Sequence, residues 1–321
     1  MRETELYFPS ADGISNVRAL LWEPDGLADG SSQAHGLLQL LHGMAEHIER
    51  YRDFAEFCTA HGIIVYGHDH IGHGKSVESN DQWGHMPKNG KDVLVEDAHR
   101  LRLQMQERFS SVTVEGDMPL PLVMFGHSMG SFVLRLYLAK YGEGVQEAII
   151  SGTGQLSPML SAGGSLLAKL LGATRGAEFR SPLLYNLTVG GYSKQIANAH
   201  TPLDWLSTDE TVVKDYIASP DCGFMFDSSA TIALTDITGT MVKREVVAAV
   251  PASLPLLFIA GSEDPVGEKG AGVKRAEQLF RDTGHTDVTL FLYDGMRHEV
   301  LNETDKARVY DDVLDWIETH L

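Results

Sequence analysis

The fold follows most directly from residues 120–141, which read LPLVMFGHSMGSFVLRLYLAKY. An apolar run, residues 120–125, leads into Gly126-His127-Ser128-Met129-Gly130, and a second strongly apolar stretch follows at residues 131–141. This order predicts a buried strand, a sharp G-x-S-x-G turn and a helix packed under a sheet. In that arrangement the serine hydroxyl projects above the sheet. The two glycines allow neighbouring backbone to approach the turn closely.

The rest of the chain repeats this alternation of short apolar runs and helical patterns. Because the runs are apolar throughout, they suit strands covered on both faces of a parallel sheet. The order predicts an α/β fold with a mostly parallel central sheet flanked by helices. Residues 4–9 and 17–22 predict an antiparallel hairpin at the sheet edge. Further strands are predicted at residues 35–41, 62–66, 148–150, 255–260 and 288–293, and further helices at residues 91–109, 269–281 and 306–320.

The alternation breaks between residues 157 and 250. This stretch mixes Gly, Ser, Thr and Pro with short apolar segments. Its size and position predict a mostly helical cap inserted before the last two strands. The expected organisation is therefore a core of residues 1–156 and 251–321 with a cap of residues 157–250. Residues 159–171 predict an apolar helix that either guides substrate or packs inward, and the sequence leaves both readings open.

Composition limits the possible partners. The 321 residues carry a formal charge of −18, which repels phosphate backbones and argues against a nucleic-acid partner. The apolar stretches are too short to cross a bilayer, so no stable membrane insertion is expected. The first nine residues predict no signal peptide. With only Cys58 and Cys222, we expect reduced thiols in a cytoplasmic protein, and Cys58 lies in a helical pattern that indicates packing.

A serine nucleophile needs a base, and the base needs an orienting carboxylate. In proteins with this turn, the acid and then the histidine follow the serine along the chain. Asp264 follows the predicted strand at 255–260, where a Gly-x-x-Asp-Pro setting favours it over its neighbour Glu263. His298 follows the last predicted strand. The predicted catalytic residues are therefore Ser128, Asp264 and His298.

An oxyanion needs backbone N–H donors aimed at the position where its charge develops. One donor is predicted at Met129, the residue after the nucleophile. The second is predicted at Met44, in the loop His42-Gly43-Met44 that follows an earlier strand. The side chain of Met44 is irrelevant to this function.

Several motifs together resemble the monoacylglycerol lipase and lysophospholipase group of α/β-hydrolases, of bacterial type. They are HGMAEH at 42–47 with Arg50-Tyr51, DHIGHGKS at 69–76, GHSMG at 126–130, GSEDPV at 261–266 and His298. The resemblance implies the α/β-hydrolase fold, the triad and the oxyanion donors named above. It also implies that three residues are candidate substrate contacts near a glycerol-like alcohol: Glu46, Arg50 and, in the G-x-S-x-G turn, His127. A loop-stabilising ion pair is the alternative for Glu46 and Arg50.

A histidine-rich segment suggests a rival reading as a metal site. His68, Asp69, His70, His73 and His85 carry ligand atoms, but their spacing matches no common metal motif. The resemblance explains the segment as a loop bracing the site, so no metal is predicted. No nucleotide-binding glycine motif occurs either, and no cofactor is expected.

The predicted activity is hydrolysis of carboxylic esters, with monoacylglycerols, lysophospholipid-like esters or simpler acyl esters as substrates. A peptidase or amidase using the same triad is the first alternative, and it would need an acidic residue to bind a substrate amine. Asp204, Asp209 and Glu210 are the candidates for that function. A non-enzymatic ligand sensor and an acyltransferase are further alternatives. The sequence does not specify the oligomeric state.

Overall fold

A computed structural model of the protein describes residues 1–321, apart from the side chain of Glu115. Its central feature is an eight-stranded sheet with the strand order β1-β2-β4-β3-β7-β8-β9-β10. The strands are β1 (Arg2–Pro9), β2 (Asn16–Glu23), β3 (Gly36–Leu41), β4 (Ile63–His68), β5 (Thr113–Val114), β6 (Met118–Pro119), β7 (Leu122–His127), β8 (Glu147–Ser151), β9 (Leu256–Gly261) and β10 (Val288–Tyr293). The short strands β5 and β6 form a separate antiparallel ladder.

In the order of the sheet, the strands from β4 to β10 are parallel, whereas β1 and β2 form the predicted antiparallel hairpin at one edge and β2 pairs antiparallel with β4. The predicted mostly parallel α/β sheet is confirmed, and each predicted strand forms with its ends displaced by at most two residues.

Both faces of the central strands are buried, which explains why these strands are apolar at consecutive positions. Along β3, Leu37 and Leu41 enter one hydrophobic core while Leu38 and Leu40 enter the other. Successive side chains of a strand point to opposite faces, so each strand contributes to two cores at once. Burying both faces requires helices on each side of the sheet.

Ten α-helices accompany the sheet in the described part of the chain. Residues of α1 and α10 belong to the core on one face, and residues of α2, α3 and α9 belong to the core on the other. The helices are α1 (Arg52–Ala60), α2 (Gly90–Arg108), α3 (Met129–Tyr141), α4 (Pro158–Arg175), α5 (Pro182–Thr188), α6 (Glu210–Ala218), α7 (Ser228–Met241), α8 (Arg244–Val247), α9 (Ala271–Asp282) and α10 (Lys306–His320). Among the described residues, none of these helices has the length and apolar content needed to span a bilayer.

The segment between β8 and β9 contains helices α4 to α8 and, in the described structure, no strand. Helix α4 packs along α7, and α7 also contacts α2 and α3. The later part of this inserted segment therefore lies against the helices that cover the sheet. Its division from the core at residues 157 and 250 stays a prediction.

Candidate active site

Ser128 lies between the end of β7 and the start of α3, at the turn that the G-x-S-x-G pattern predicted. Its backbone has φ 52° and ψ −119°, in the left-handed region that non-glycine residues seldom adopt. The Ser128 N–H donates to the Ser151 carbonyl on neighbouring β8, at 2.9 Å. Strained backbone at one serine, held by the next strand, is the geometry of a nucleophile elbow.

The two glycines of the elbow are required by close backbone approach. A Cβ atom at Gly130 would lie 2.1 Å from the Leu41 carbonyl oxygen, and one at Gly126 would lie 2.5 Å from the Gly130 carbonyl oxygen. Backbone atoms of β3 and α3 cannot move away as a flexible side chain can. The pattern therefore reflects the packing of the elbow against β3.

Asp264 and His298 meet above the carboxyl ends of β9 and β10. The His298 Nδ1–H donates to Asp264 Oδ2 at 2.9 Å, and Asp264 Oδ1 accepts from the Val266 N–H at 2.8 Å. Both side chains are buried. Glu263, the competing carboxylate, instead pairs with Lys269 at a half-exposed position. The structure thus places Asp264, not Glu263, against the histidine.

The charge state of His298 is controlled by this contact. Burial disfavours the charged imidazole, but the Asp264 carboxylate with its hydrogen bond, together with the charges of Glu299 and Glu46, outweighs burial and raises the pKa of His298. The other ring nitrogen, Nε2, is buried and has no hydrogen-bond partner among the described residues. A histidine oriented through Nδ1 with its Nε2 unpaired is arranged to accept a proton at Nε2.

The predicted oxyanion donors lie on either side of Ser128. A Cβ atom at Gly43, next to Met44, would lie 3.1 Å from the Ser128 Cβ, so this loop passes close to Ser128. Met44 and Met129 both line the same cavity as Ser128. Within the described chain, neither of their N–H groups donates a hydrogen bond. Both donors are therefore available to a negatively charged oxygen.

Glu46 and Arg50 form part of a buried ion-pair network. The Arg50 guanidinium pairs with Glu46 Oε2 at 2.5 Å and contacts both carboxylate oxygens of Glu299, at 2.7 and 2.5 Å. Glu46 Oε1 accepts from the Gly43 N–H at 2.5 Å and from the Tyr51 hydroxyl at 2.9 Å. The pair therefore fixes the loop that carries Met44. This arrangement matches the alternative predicted for Glu46 and Arg50, an ion pair that stabilises the loop.

Glu299 is a residue of this site that was not predicted from the sequence. It follows His298 directly, and the Arg50 guanidinium lowers its pKa although burial acts in the opposite direction. Arg50 consequently links the loop that carries Met44 (the oxyanion loop, residues 42–47) to the loop that carries His298. The only sequence feature that pointed to Glu299 was its position next to the predicted histidine. The partner of Glu299, Arg50, lies far away in the sequence.

Aromatic and imidazole rings surround His298. The rings of Trp205 and His127 lie 5.0 and 4.7 Å from the His298 ring, centroid to centroid. The Trp205 carbonyl also accepts from the His298 N–H at 3.3 Å. Burial and the nearby His298 lower the pKa of His127 well below its ordinary value, so its ring is neutral. Trp205 was not predicted, because its position depends on how the inserted segment folds back.

A cavity of about 420 Å³ opens above Ser128 and His298. Helix α4 contributes Met159, Leu160 and Leu167 to its largely apolar wall. The same helix buries its small residues Ser161, Ser165 and Ala168. Of the two readings left open for residues 159–171, the structure thus favours a helix that lines the cavity.

The histidine-rich segment is a buried bracing loop. The His70 N–H donates to His42 Nε2 at 2.9 Å, while Asp69 accepts from the Ile48 and Lys75 N–H groups. His85 lies apart and pairs with Asp227 at 2.6 Å. In the described part of the chain, these histidines do not gather three donor atoms around one point.

A family model described as "Serine aminopeptidase, S33" (Hydrolase_4) matches residues 32–305. The chain belongs to this family. It is 29% identical over 320 residues to a monoacylglycerol lipase of Mycolicibacterium smegmatis, with 96% of each chain covered. It is 24% identical to the mouse monoglyceride lipase, covering 92% of this chain and 84% of that protein. A thermostable carboxyl esterase from Bacillus coagulans, solved with glycerol, superposes with a TM-score of 0.89 and 30% identity over 100% of this chain and 99% of the esterase.

The match confirms the predicted α/β-hydrolase fold and the resemblance to monoacylglycerol lipases. The family match runs from before β3 to Asp305, the residue before the last helix, and so includes Ser128, Asp264 and His298. The hydrolase thus brings all three predicted catalytic residues to one end of its sheet, as expected for sites in open α/β folds.

Proposed function

We propose that this hydrolase cleaves carboxylic esters with one acyl chain, monoacylglycerols above all, through an acyl-enzyme on Ser128. The observation that carries the proposal is the cavity of about 420 Å³, which places a largely apolar wall above Ser128 and His298. Such a wall suits an alkyl chain, since removing apolar surface from water is favourable. The lipase and esterase relatives support the same substrate class.

The proposed reaction begins when Ser128 Oγ attacks the ester carbonyl and His298 Nε2 takes the hydroxyl proton. The carbonyl oxygen becomes an oxyanion that accepts hydrogen bonds from the Met44 and Met129 N–H groups. The intermediate then expels the alcohol, which receives its proton from His298, and leaves an ester on Ser128. Water repeats the sequence, releases the fatty acid and restores the serine. Asp264 keeps the imidazole in the required tautomer throughout.

An aminopeptidase function, which the family description suggests, is less well supported by the cavity. The carboxylates on its wall, Glu46 and Glu299, are both paired with Arg50. The oxygens of both carboxylates already accept hydrogen bonds, from Arg50, from the Gly43 N–H and Tyr51 hydroxyl at Glu46, and from Asn302 at Glu299, so a substrate amine would have to displace these donors. Among the predicted amine-binding residues, Asp209 caps α6, Glu210 pairs with Lys214, and Asp204 accepts from the His200 N–H.

The test is turnover of a chain-length series of p-nitrophenyl esters, then of 1-monoacylglycerols, with aminoacyl amides in parallel. We expect ester hydrolysis with a preference for medium or long acyl chains, lost in Ser128→Ala. Ser110→Ala, at an exposed serine beyond the end of α2, is the matched control and should keep full activity. Amide turnover with no ester turnover would overturn the substrate assignment.

A further inference from the structure

A second group of chemically active side chains lies outside the catalytic machinery. His47, Asp221 and Cys222 each present one donor atom, and the three atoms lie within 4.8 Å of one another. The His47 Nε2 is 3.6 Å from Asp221 Oδ1. His47 belongs to the loop after β3, whereas Asp221 and Cys222 belong to the loop after α6. The group thus bridges the oxyanion loop and the inserted segment.

The donor types match one class of ligand. An imidazole nitrogen, a carboxylate oxygen and a thiol sulfur are together the ligand set that Zn²⁺ prefers in proteins. The His47 and Asp221 side chains are 12% and 25% exposed, so an ion from solvent can reach them. A cavity of about 250 Å³, lined by His47 and Cys222, leaves room for water as the fourth ligand.

Local charge does not oppose a cation at this place. Arg50 lines the same cavity, but its guanidinium is engaged by the carboxylates of Glu46 and Glu299. Asp215 adds a further acidic side chain to the cavity wall. The formal charge of −18 over the whole chain also favours binding of a divalent cation.

We propose that His47, Asp221 and Cys222 bind a zinc ion that ties the oxyanion loop to the inserted segment. The two parts already touch next to this site. The Ala45 carbonyl accepts from the Gly223 N–H at 2.9 Å and from the Tyr216 hydroxyl at 2.7 Å. A metal between His47 and Cys222 reinforces the contact at Ala45. Because Ala45 is the residue after Met44, the metal also restrains the proposed oxyanion donor.

The binding step involves no redox change. Zn²⁺ takes the lone pair of His47 Nε2, a carboxylate oxygen of Asp221 and the Cys222 sulfur, which binds as thiolate. The thiol proton passes to solvent, so one proton is released per metal bound. Removing the metal with a chelator returns the thiol.

The test uses the full chain, freed of metal with EDTA, and titrates it with ZnCl₂ in a calorimeter. We expect one zinc per chain, one proton released and a rise in Tm of about 3 °C or more at saturation. With Co²⁺ as the probe, a thiolate-to-cobalt charge-transfer band reports the sulfur ligand directly. Cys222→Ser and His47→Gln should each abolish stoichiometric zinc binding, and Cys222→Ser should also remove the cobalt band.

Matched controls separate this site from other donors. His61→Asn changes an exposed histidine at the end of α1, and Cys58→Ala removes the other thiol; both should keep zinc binding and the cobalt band. Zinc binding that survives Cys222→Ser and His47→Gln, or the absence of stoichiometric binding in the wild type, overturns the proposal. Because every readout is metal binding or its effect on Tm, this result is independent of ester turnover.

Discussion

Arg50 and Glu299 form a largely buried bidentate ion pair, with N–O distances of 2.7 and 2.5 Å. Arg50 follows the loop that carries Met44, and Glu299 is the neighbour of His298. One contact therefore sets the position of a proposed oxyanion donor relative to the proposed base. A planar guanidinium is suited to this function because it binds a carboxylate through two parallel hydrogen bonds.

Replacing Arg50 by methionine should weaken both the fold and the reaction. Removing one member of a buried pair leaves the other charge uncompensated and costs about 3–5 kcal/mol of unfolding free energy. Displacement of the two loops should lower kcat by about 100-fold with a smaller change in KM. Urea unfolding and ester kinetics measure the two effects. Lys306→Met, which removes an exposed pair with Asp53, is the control, and equal effects in both variants would contradict the account.

Gly130→Ala tests the packing of the elbow. The added Cβ would lie 2.1 Å from the Leu41 carbonyl oxygen, so we expect a loss of at least about 3 kcal/mol of stability or failure to fold. Gly163→Ala is the matched control, because a Cβ there meets nothing within 4 Å. Since alanine favours a helix over glycine, that variant should be unchanged or stabilised by up to about 1 kcal/mol. Equal Tm values for the two variants would refute the elbow geometry.

Asp264→Asn tests the origin of the raised pKa of His298. The base must be neutral, so wild-type kcat/KM should rise with pH and reach half its maximum above pH 6.5, the ordinary value for histidine. Asparagine removes the stabilising charge, which should move this acid limb to lower pH and reduce kcat by about 10⁴-fold. Glu263→Gln, at the neighbouring carboxylate paired with Lys269, should leave the profile unchanged. If the pH profile of kcat/KM shifted in Glu263→Gln and not in Asp264→Asn, Glu263 would be the carboxylate that acts on His298.

Glu147 should make the protein less stable at alkaline pH. Burial, with a smaller effect of Asp287, raises the pKa of Glu147 from 4.5 to about 8, and both carboxylate oxygens lack a partner in the described structure. The folded state therefore holds this proton more tightly than the unfolded state. The contribution to stability is complete below pH 4.5 and is lost as pH rises through about 8.

Glu147→Gln should remove this part of the pH dependence. At about 1.4 kcal/mol per pKa unit, the gain in unfolding free energy at pH 9 should be a few kcal/mol. Urea unfolding at pH 5 and pH 9 measures the difference. Glu143→Gln, at an exposed position on the same connection, should follow the wild type. A wild-type pH dependence in Glu147→Gln would show that this carboxyl is not the cause.

The elements around Ser128 could be predicted because their sequence signals are local. Strand β7, the elbow at Ser128 and helix α3 follow one another along the chain, and each has its own pattern. The loops that hold Asp264 and His298 likewise come directly after apolar runs. Even there, β7 extends to His127, past the predicted end, since backbone pairing with β8 continues into the elbow.

Features that depend on distant contacts could not be predicted in the same way. The link from Arg50 to Glu299 joins residues at opposite ends of the chain, and no local pattern marks it. Helix α4 buries Ser161 and Ala168 while leaving Leu166 and Leu170 exposed. This reverses the usual rule that apolar residues of a helix face the core, because small residues allow α4 to approach α7 closely.

The central claim, that His298 and Asp264 activate Ser128, is tested most directly by covalent labelling. The protein is treated with a fluorophosphonate, digested, and mapped by mass spectrometry. We expect a single adduct on the peptide carrying Ser128, formed far more slowly in His298→Ala and absent in Ser128→Ala. Labelling at another residue, or an undiminished rate in His298→Ala, would contradict it.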